Sequence, residues 1–132
     1  MSNSLLMLLG FFKYDKNVGN IYLNDSLERI ECFTASTKKD RIFEIGFWKS
    51  ENQITIHFLK VYKTEDKGIG TQALIFFEKW ATTKGCNVLK GELVDGPDSS
   101  IPSKLIHFYK KNGFDVVSTG QEYIYANIYK NI

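Results

Sequence analysis

Histidine, cysteine and proline are scarce: the chain of 132 residues has two of each. Cys32 and Cys86 lie far apart and form no CxxC pair, and neither His57 nor His107 has a second ligand type beside it. That spacing argues against a zinc site and for buried free thiols in a reducing cytosol. Two prolines argue against a disordered or linker-rich chain. Long apolar runs are also missing. "LLMLLGFF" at Leu5–Phe12 is too short to span a membrane. It has no charged segment before it and no small-residue cleavage site after it, so it reads as a core element of a cytoplasmic protein rather than a signal peptide. Charge of one sign is not in excess. A net charge of +2 gives no footprint for nucleic acid or a membrane surface. What is there is ordinary for one globular domain over residues 1–132: 43% apolar and 24% charged residues, enough to build one core without staples.

The first half reads as strands. "NIYLN" (Asn20–Asn24), "RIECFTAS" (Arg29–Ser36), "RIFEIGFW" (Arg41–Trp48) and "QITIHFLKVY" (Gln53–Tyr62) are rich in β-branched and aromatic residues. Short polar connections between them suit an antiparallel meander. After Gly70 the period changes. Ile69, Ala73, Leu74, Phe77, Trp80 and Ala81 recur at helical spacing, and Gly85 supplies the stop. "NVLKGELV" (Asn87–Val94) reads as a strand and "DGPDSSIP" as a loop. Ser103 can cap a helix over "KLIHFYKKN" that Gly113 ends, and "FDVVS" and "EYIYANIY" close the chain as strands. A strand–helix–strand unit brings its strands side by side in parallel. The expected fold is therefore α/β with a mixed sheet, antiparallel early and parallel in the middle.

"EDKGIG" places Gly68 and Gly70 where a strand ends and a helix begins. Such glycines can serve a tight turn and nothing more. They can also let a phosphate approach the unpaired N–H groups at a helix N-terminus, with Lys67 adding a full charge. A Walker A loop is absent, because that motif needs four residues between its glycines, followed by Lys and Ser/Thr. A dinucleotide fingerprint, with Ala73 as the third small residue and Asp95 as the acid, stays open but would follow a meander instead of an early strand–helix unit.

"LKVYKTEDKGIGTQAL" followed by "HFYKKNGF" resembles the GNAT N-acetyltransferase superfamily. Leu59 and Val61 match its apolar strand, Gly68 and Gly70 its glycine turn, and Phe108, Tyr109, Lys111, Gly113 and Phe114 its second motif. The resemblance spans Ile54 to Val117. It implies a GNAT-like fold and acetyl-coenzyme A as cosubstrate. The amides of Gly68, Ile69, Gly70 and Thr71, with Lys67, would hold the pyrophosphate. The pantetheine arm would bond to the strand of Leu59 and Val61 as an added strand would. It implies transfer of the acetyl group to a primary amine of a small molecule or peptide. Glu65 stands where the family has Gln or Arg. The family's two early helices are not found before Glu31, which leaves an open acceptor pocket or one completed in a homodimer.

Within that reading Tyr109 is the general acid for the departing thiolate, since a phenol stays protonated at neutral pH. His57 is the candidate base on the cofactor strand. Position alone gives blander readings. Phe108 would sit in the core with Tyr109 half exposed, and His57 would be a hydrogen-bonded strand histidine. Glu44 and Glu92 are weaker base candidates, each expected on a solvated strand face, and His107, Lys104 and Lys110 belong to a solvated helix. A non-catalytic coenzyme A-binding or protein-interaction module is the alternative to the enzyme.

Overall fold

The computed structural model describes residues 6–14, 17–35, 40–62, 68–94, 102–121 and 123–132. Residues 95–101 of the expected loop, and Lys63–Lys67, including the candidate Lys67 and the departure at Glu65, lie outside the described residues. The elements are β1 (Leu6–Tyr14), β2 (Asn17–Asn24), β3 (Arg29–Thr34), β4 (Arg41–Ser50), β5 (Gln53–Val61), α1 (Ile69–Thr83), β6 (Val88–Val94), α2 (Pro102–Lys111), β7 (Asp115–Ser118) and β8 (Ile124–Asn131). The hydrogen-bonded strand order is β1-β2-β3-β4-β5-β6-β8-β7. β5 and β6 pair in parallel, whereas β1–β2, β2–β3, β3–β4, β6–β8 and β7–β8 are antiparallel. This is the expected mixed sheet, with its parallel step at the strand–helix–strand unit. The chain divides into two compact units, Met1–Trp48 with His57–Ile75, and Lys49–Ile56 with Phe76–Ile132.

In the first unit the registers Ile21↔Cys32 and Cys32↔Phe43 put these three residues on one face of the meander. All are fully buried, and Phe12 meets Phe43 edge-on at 5.1 Å. Glu31 and Glu44 stand directly opposite each other across β3 and β4 on the other face, and both are buried. No helix occurs among the described residues before Ser50. The expectation of a core element at Leu5–Phe12 is corrected. β1 is the edge strand, with Met7, Leu8 and Phe11 at least half exposed and Phe12 buried. Met7 and Leu8 follow one another and so lie on opposite faces, and both are exposed: the start of this edge strand is covered on neither face.

In the second unit the turns that end both helices were legible. Gly85 and Gly113 have φ of 80° and 88°. Behind them, Cys86 N–H bonds to Ala81 O and Gly85 N–H to Thr82 O at 3.0 Å, and Phe114 and Gly113 repeat the pattern onto Tyr109 O and Lys110 O. These are paired Schellman bonds, which need a left-handed residue that glycine adopts without strain. Lys130 on β8 then joins the two helix ends. Its Nζ lies 2.9 Å from Glu78 Oε1 on α1 and donates to Asn112 O at 2.8 Å. Ile69, Ala73, Leu74, Phe77, Trp80 and Ala81 are all buried, as the helical spacing predicts. Cys32 and Cys86 are both buried and free. No described helix is long and apolar enough to cross a membrane.

Candidate functional site

β5 and β6 share a parallel ladder from Gln53↔Val88 to Ile56↔Gly91. The ladder stops there, although β5 continues to Val61 and β6 to Val94. At the last pair a Cβ on Gly91 would lie 2.8 Å from Ile56 O, so only glycine admits the close approach of the strands. Past the ladder, Leu59 and Val61 are half-buried and His57 is exposed.

α1 begins one residue after Gly68, whose φ of 88° turns the chain into the helix. Gln72 N–H makes the first turn's bond to Gly68 O at 3.0 Å. The amides of Ile69, Gly70 and Thr71 precede that bond and lie at the positive end of the helix dipole. No acidic residue occupies the first turn. Ile69 is buried and pins the helix start, and a Cβ on Gly68 would meet nothing within 4 Å, so the turn is open. Leu59, Val61, Gly68, Ile69, Gly70 and Thr71 thus belong to the same compact unit. That turn and strand can accept an anionic diphosphate and an extended chain, which is a fit to the cosubstrate that the motif implies.

Tyr109 belongs to the second unit. Here the helix phase differs from the position-based expectation: Tyr109 is buried and Phe108 is half-buried. The Schellman turn explains the change. It folds Phe114 back on the helix, where the two rings meet at 5.3 Å, and Phe108 packs edge-on from the other side at 5.2 Å. Burial, with a smaller contribution from Tyr125, pushes the Tyr109 pKa up to about 12. Burial likewise pushes the Cys32 thiol up to about 12. Both folded values lie above the unfolded ones. Their contribution to stability is therefore whole below the ordinary thiol and phenol pKa values of 9.0 and 10.0 and is lost as pH rises through about 12. Chemical denaturation at pH 9 to 12 should show stability falling with pH, and Tyr109→Phe should flatten the part of that fall above pH 10.

The other candidates separate. Glu92 stays exposed as expected and lines a cavity of about 380 Å³ with Thr55, Lys90, Asn127 and Tyr129. His107, Lys104 and Lys110 are exposed on α2. Glu44 does not have the solvated face expected of it. It is 6% exposed, and its Oε1 accepts a hydrogen bond from the Tyr62 hydroxyl at 2.7 Å. Among the described residues no group of three His, Cys, Asp or Glu side chains converges as a metal site.

No protein-family model and no curated protein sequence matches the chain. Solved structures do. The PaiA N-acetyltransferase of Thermoplasma acidophilum, solved in complex with coenzyme A, superposes with a TM-score of 0.60 at 21% identity over 79% of this chain and 60% of that one. A GNAT-family acetyltransferase of Listeria monocytogenes gives 0.62 at 13% identity, covering 81% of this chain and 66% of that one. The anti-CRISPR protein AcrVA5 gives 0.53 at 22% identity, covering 67% of this chain and 90% of that one. The fold is that of the GNAT acetyltransferases, and the chain spans 60% of the PaiA enzyme's length.

Proposed function

We propose that this chain, which has the GNAT acetyltransferase fold, transfers an acetyl group from acetyl-coenzyme A to a primary amine. The observation that carries this reading is the β5–α1 arrangement. β5 runs past its last β6 partner, and a turn led by Gly68 opens a helix without first-turn acids. Backbone of Leu59 and Val61 would bond the pantetheine arm, and the amides from Gly68 to Thr71, with Lys67, would hold the pyrophosphate. The complex of the PaiA enzyme with coenzyme A supports the same choice of cosubstrate.

The chemistry is direct attack. The amine nitrogen adds to the thioester carbonyl, the tetrahedral intermediate collapses, and the C–S bond breaks to release the amide and the thiolate. Before attack the ammonium must lose a proton, which His57 takes directly or through water from its exposed position on β5. Tyr109 donates its hydroxyl hydrogen to the sulfur as charge builds there. With its pKa pushed up to about 12, the phenol stabilises the thiolate as a hydrogen-bond donor more readily than by full proton transfer. The acceptor is an amine on a small molecule or peptide, in an open pocket or one completed by a second copy of the chain.

Calorimetric titration with coenzyme A, followed by thiol release from acetyl-coenzyme A across an amine panel, tests the proposal. Binding with amine-dependent thiol release is the expected result. Binding without release across the panel would leave a coenzyme A-binding module, and absence of binding would overturn both readings. His57→Ala should lower turnover most near neutral pH. The deficit should shrink toward the amine's own pKa, where the substrate arrives uncharged. An unchanged pH–rate profile in the folded variant would remove His57 from the mechanism.

A further inference from the structure

Two carboxylates face each other across β3 and β4, and they are treated differently. Glu31 accepts from Asn24 Nδ2 at 3.2 Å and from Arg41 Nε and NH2 at 3.3 and 3.1 Å. Both of its oxygens are therefore engaged, as a buried charge requires. Glu44 has Tyr62 on Oε1, but among the described residues its buried Oε2 accepts no hydrogen bond. Oε2 pairs with Arg29, whose NH1 stands 3.6 Å away, beyond hydrogen-bond range, and the Arg41 charge also reaches Glu44. The Glu44 side chain is only 8% exposed, while that of Arg29 is 38% exposed. A buried carboxylate oxygen left with a loose, half-solvated partner forgoes charge-assisted hydrogen bonds that its neighbour obtains.

The side chains that partner Glu44 also take part in cation–ring contacts. The Arg29 guanidinium lies over the Phe58 ring at 5.3 Å, and Lys60 Nζ lies over the Tyr62 ring at 5.1 Å. Aromatic faces attract positive charge, more strongly where water is excluded. The Phe58 ring can lie against β4 only because residue 46 is glycine. A Cβ there would overlap the ring. These residues share the compact unit that holds Leu59, Val61 and the Gly68 turn.

We propose that Glu44, Phe58 and Tyr62 form a recognition site for a primary ammonium group of the acceptor, and that the Arg29 guanidinium fills it in the free protein. The inference rests on the amine-acetylating reading above and gives it a substrate class: acceptors carrying a lysine-like ammonium. A compact ammonium can donate directly to Oε2, where the planar guanidinium stops short. Arg29 is exposed enough to swing into solvent as the ligand enters. Because Arg29 competes for the site, the apparent affinity of wild type is reduced by the fraction of molecules in which the site is filled.

The test measures binding of Nα-acetyl-lysine amide against its Nε-acetylated, neutral counterpart, by calorimetry at low ionic strength, on wild type, Arg29→Met and Glu44→Gln. Wild type should bind the charged probe and not the neutral one. Arg29→Met should tighten binding by about tenfold, as expected if the site is filled in most free molecules. Glu44→Gln keeps an acceptor for Tyr62 but loses the charge, and should abolish binding. A merely structural ion pair would lower the melting temperature of both variants without moving binding in opposite directions. Equal binding of the two probes, no tightening in Arg29→Met, or retained binding in Glu44→Gln would each overturn the site. If one variant does not fold, the sign of the other still decides. Coenzyme A titrated into the same proteins separates the two readings. Loss of coenzyme A binding in all of them would sink the acetyltransferase proposal and leave the ammonium site standing on its own data.

Discussion

Tyr109→Phe is expected to slow acetyl transfer in a single turnover by about 10²–10³-fold, the range for removing one donor from a developing negative charge. Coenzyme A affinity should not move, because the lost interaction exists only as the thiolate forms. The substitution suits the purpose. It removes one oxygen from a ring that packs against Phe108 and Phe114. Removing one oxygen while the ring keeps its place changes the packing little. A stability defect therefore cannot explain a slow variant, provided its melting curve is normal. Single-turnover measurement is required because slow product release would mask the chemical step in steady state. Transfer at the wild-type rate would end the role of Tyr109 as donor and leave it as a core residue of the α2 terminus.

Gly70→Val is expected to weaken coenzyme A binding by about 10²-fold or more, since each charge-assisted hydrogen bond lost contributes about 1.5–3 kcal/mol. Residue 70 lies in the first turn of α1, between the amides of Ile69 and Thr71. A branched side chain there would stand between a diphosphate and the helix end. The fold should survive, because valine costs a helix no more than glycine does. Calorimetry on the folded variant decides. Unchanged affinity would place the coenzyme A site away from this turn and would withdraw Gly68, Ile69, Gly70 and Thr71 together.

What was legible in the chain was local. The buried stripe of α1 follows from side-chain spacing alone, because a helix repeats its faces within a few residues. The stops at Gly85 and Gly113 follow from the one residue type that enters the left-handed region freely. The turn at Gly68 is local in the same sense: Leu59, Val61 and the α1 start follow one another along the chain and fall in one compact unit. β1 shows the limit of such reasoning. An apolar run states that it prefers to leave water, but only the strand order made it an edge and left Met7, Leu8 and Phe11 exposed.

Glu44 and Tyr109 lay beyond reach for a shared reason. A glutamate on a strand belongs to the solvated face unless groups remote in sequence cover it. Here Tyr62 comes from the end of β5 and Arg29 from the start of β3. Tyr109 is buried because Phe114 folds back across a turn and Phe108 closes over it, which no helical period encodes. The sequence by itself determined most of the elements, the glycine stops of the helices and the glycine turn, since each depends on backbone preferences within a few residues; the cap expected at Ser103 instead falls inside α2. Only the tertiary structure decided which titratable groups were stripped of water and what they faced, because desolvation and charge pairing are set by neighbours that the chain brings together from a distance.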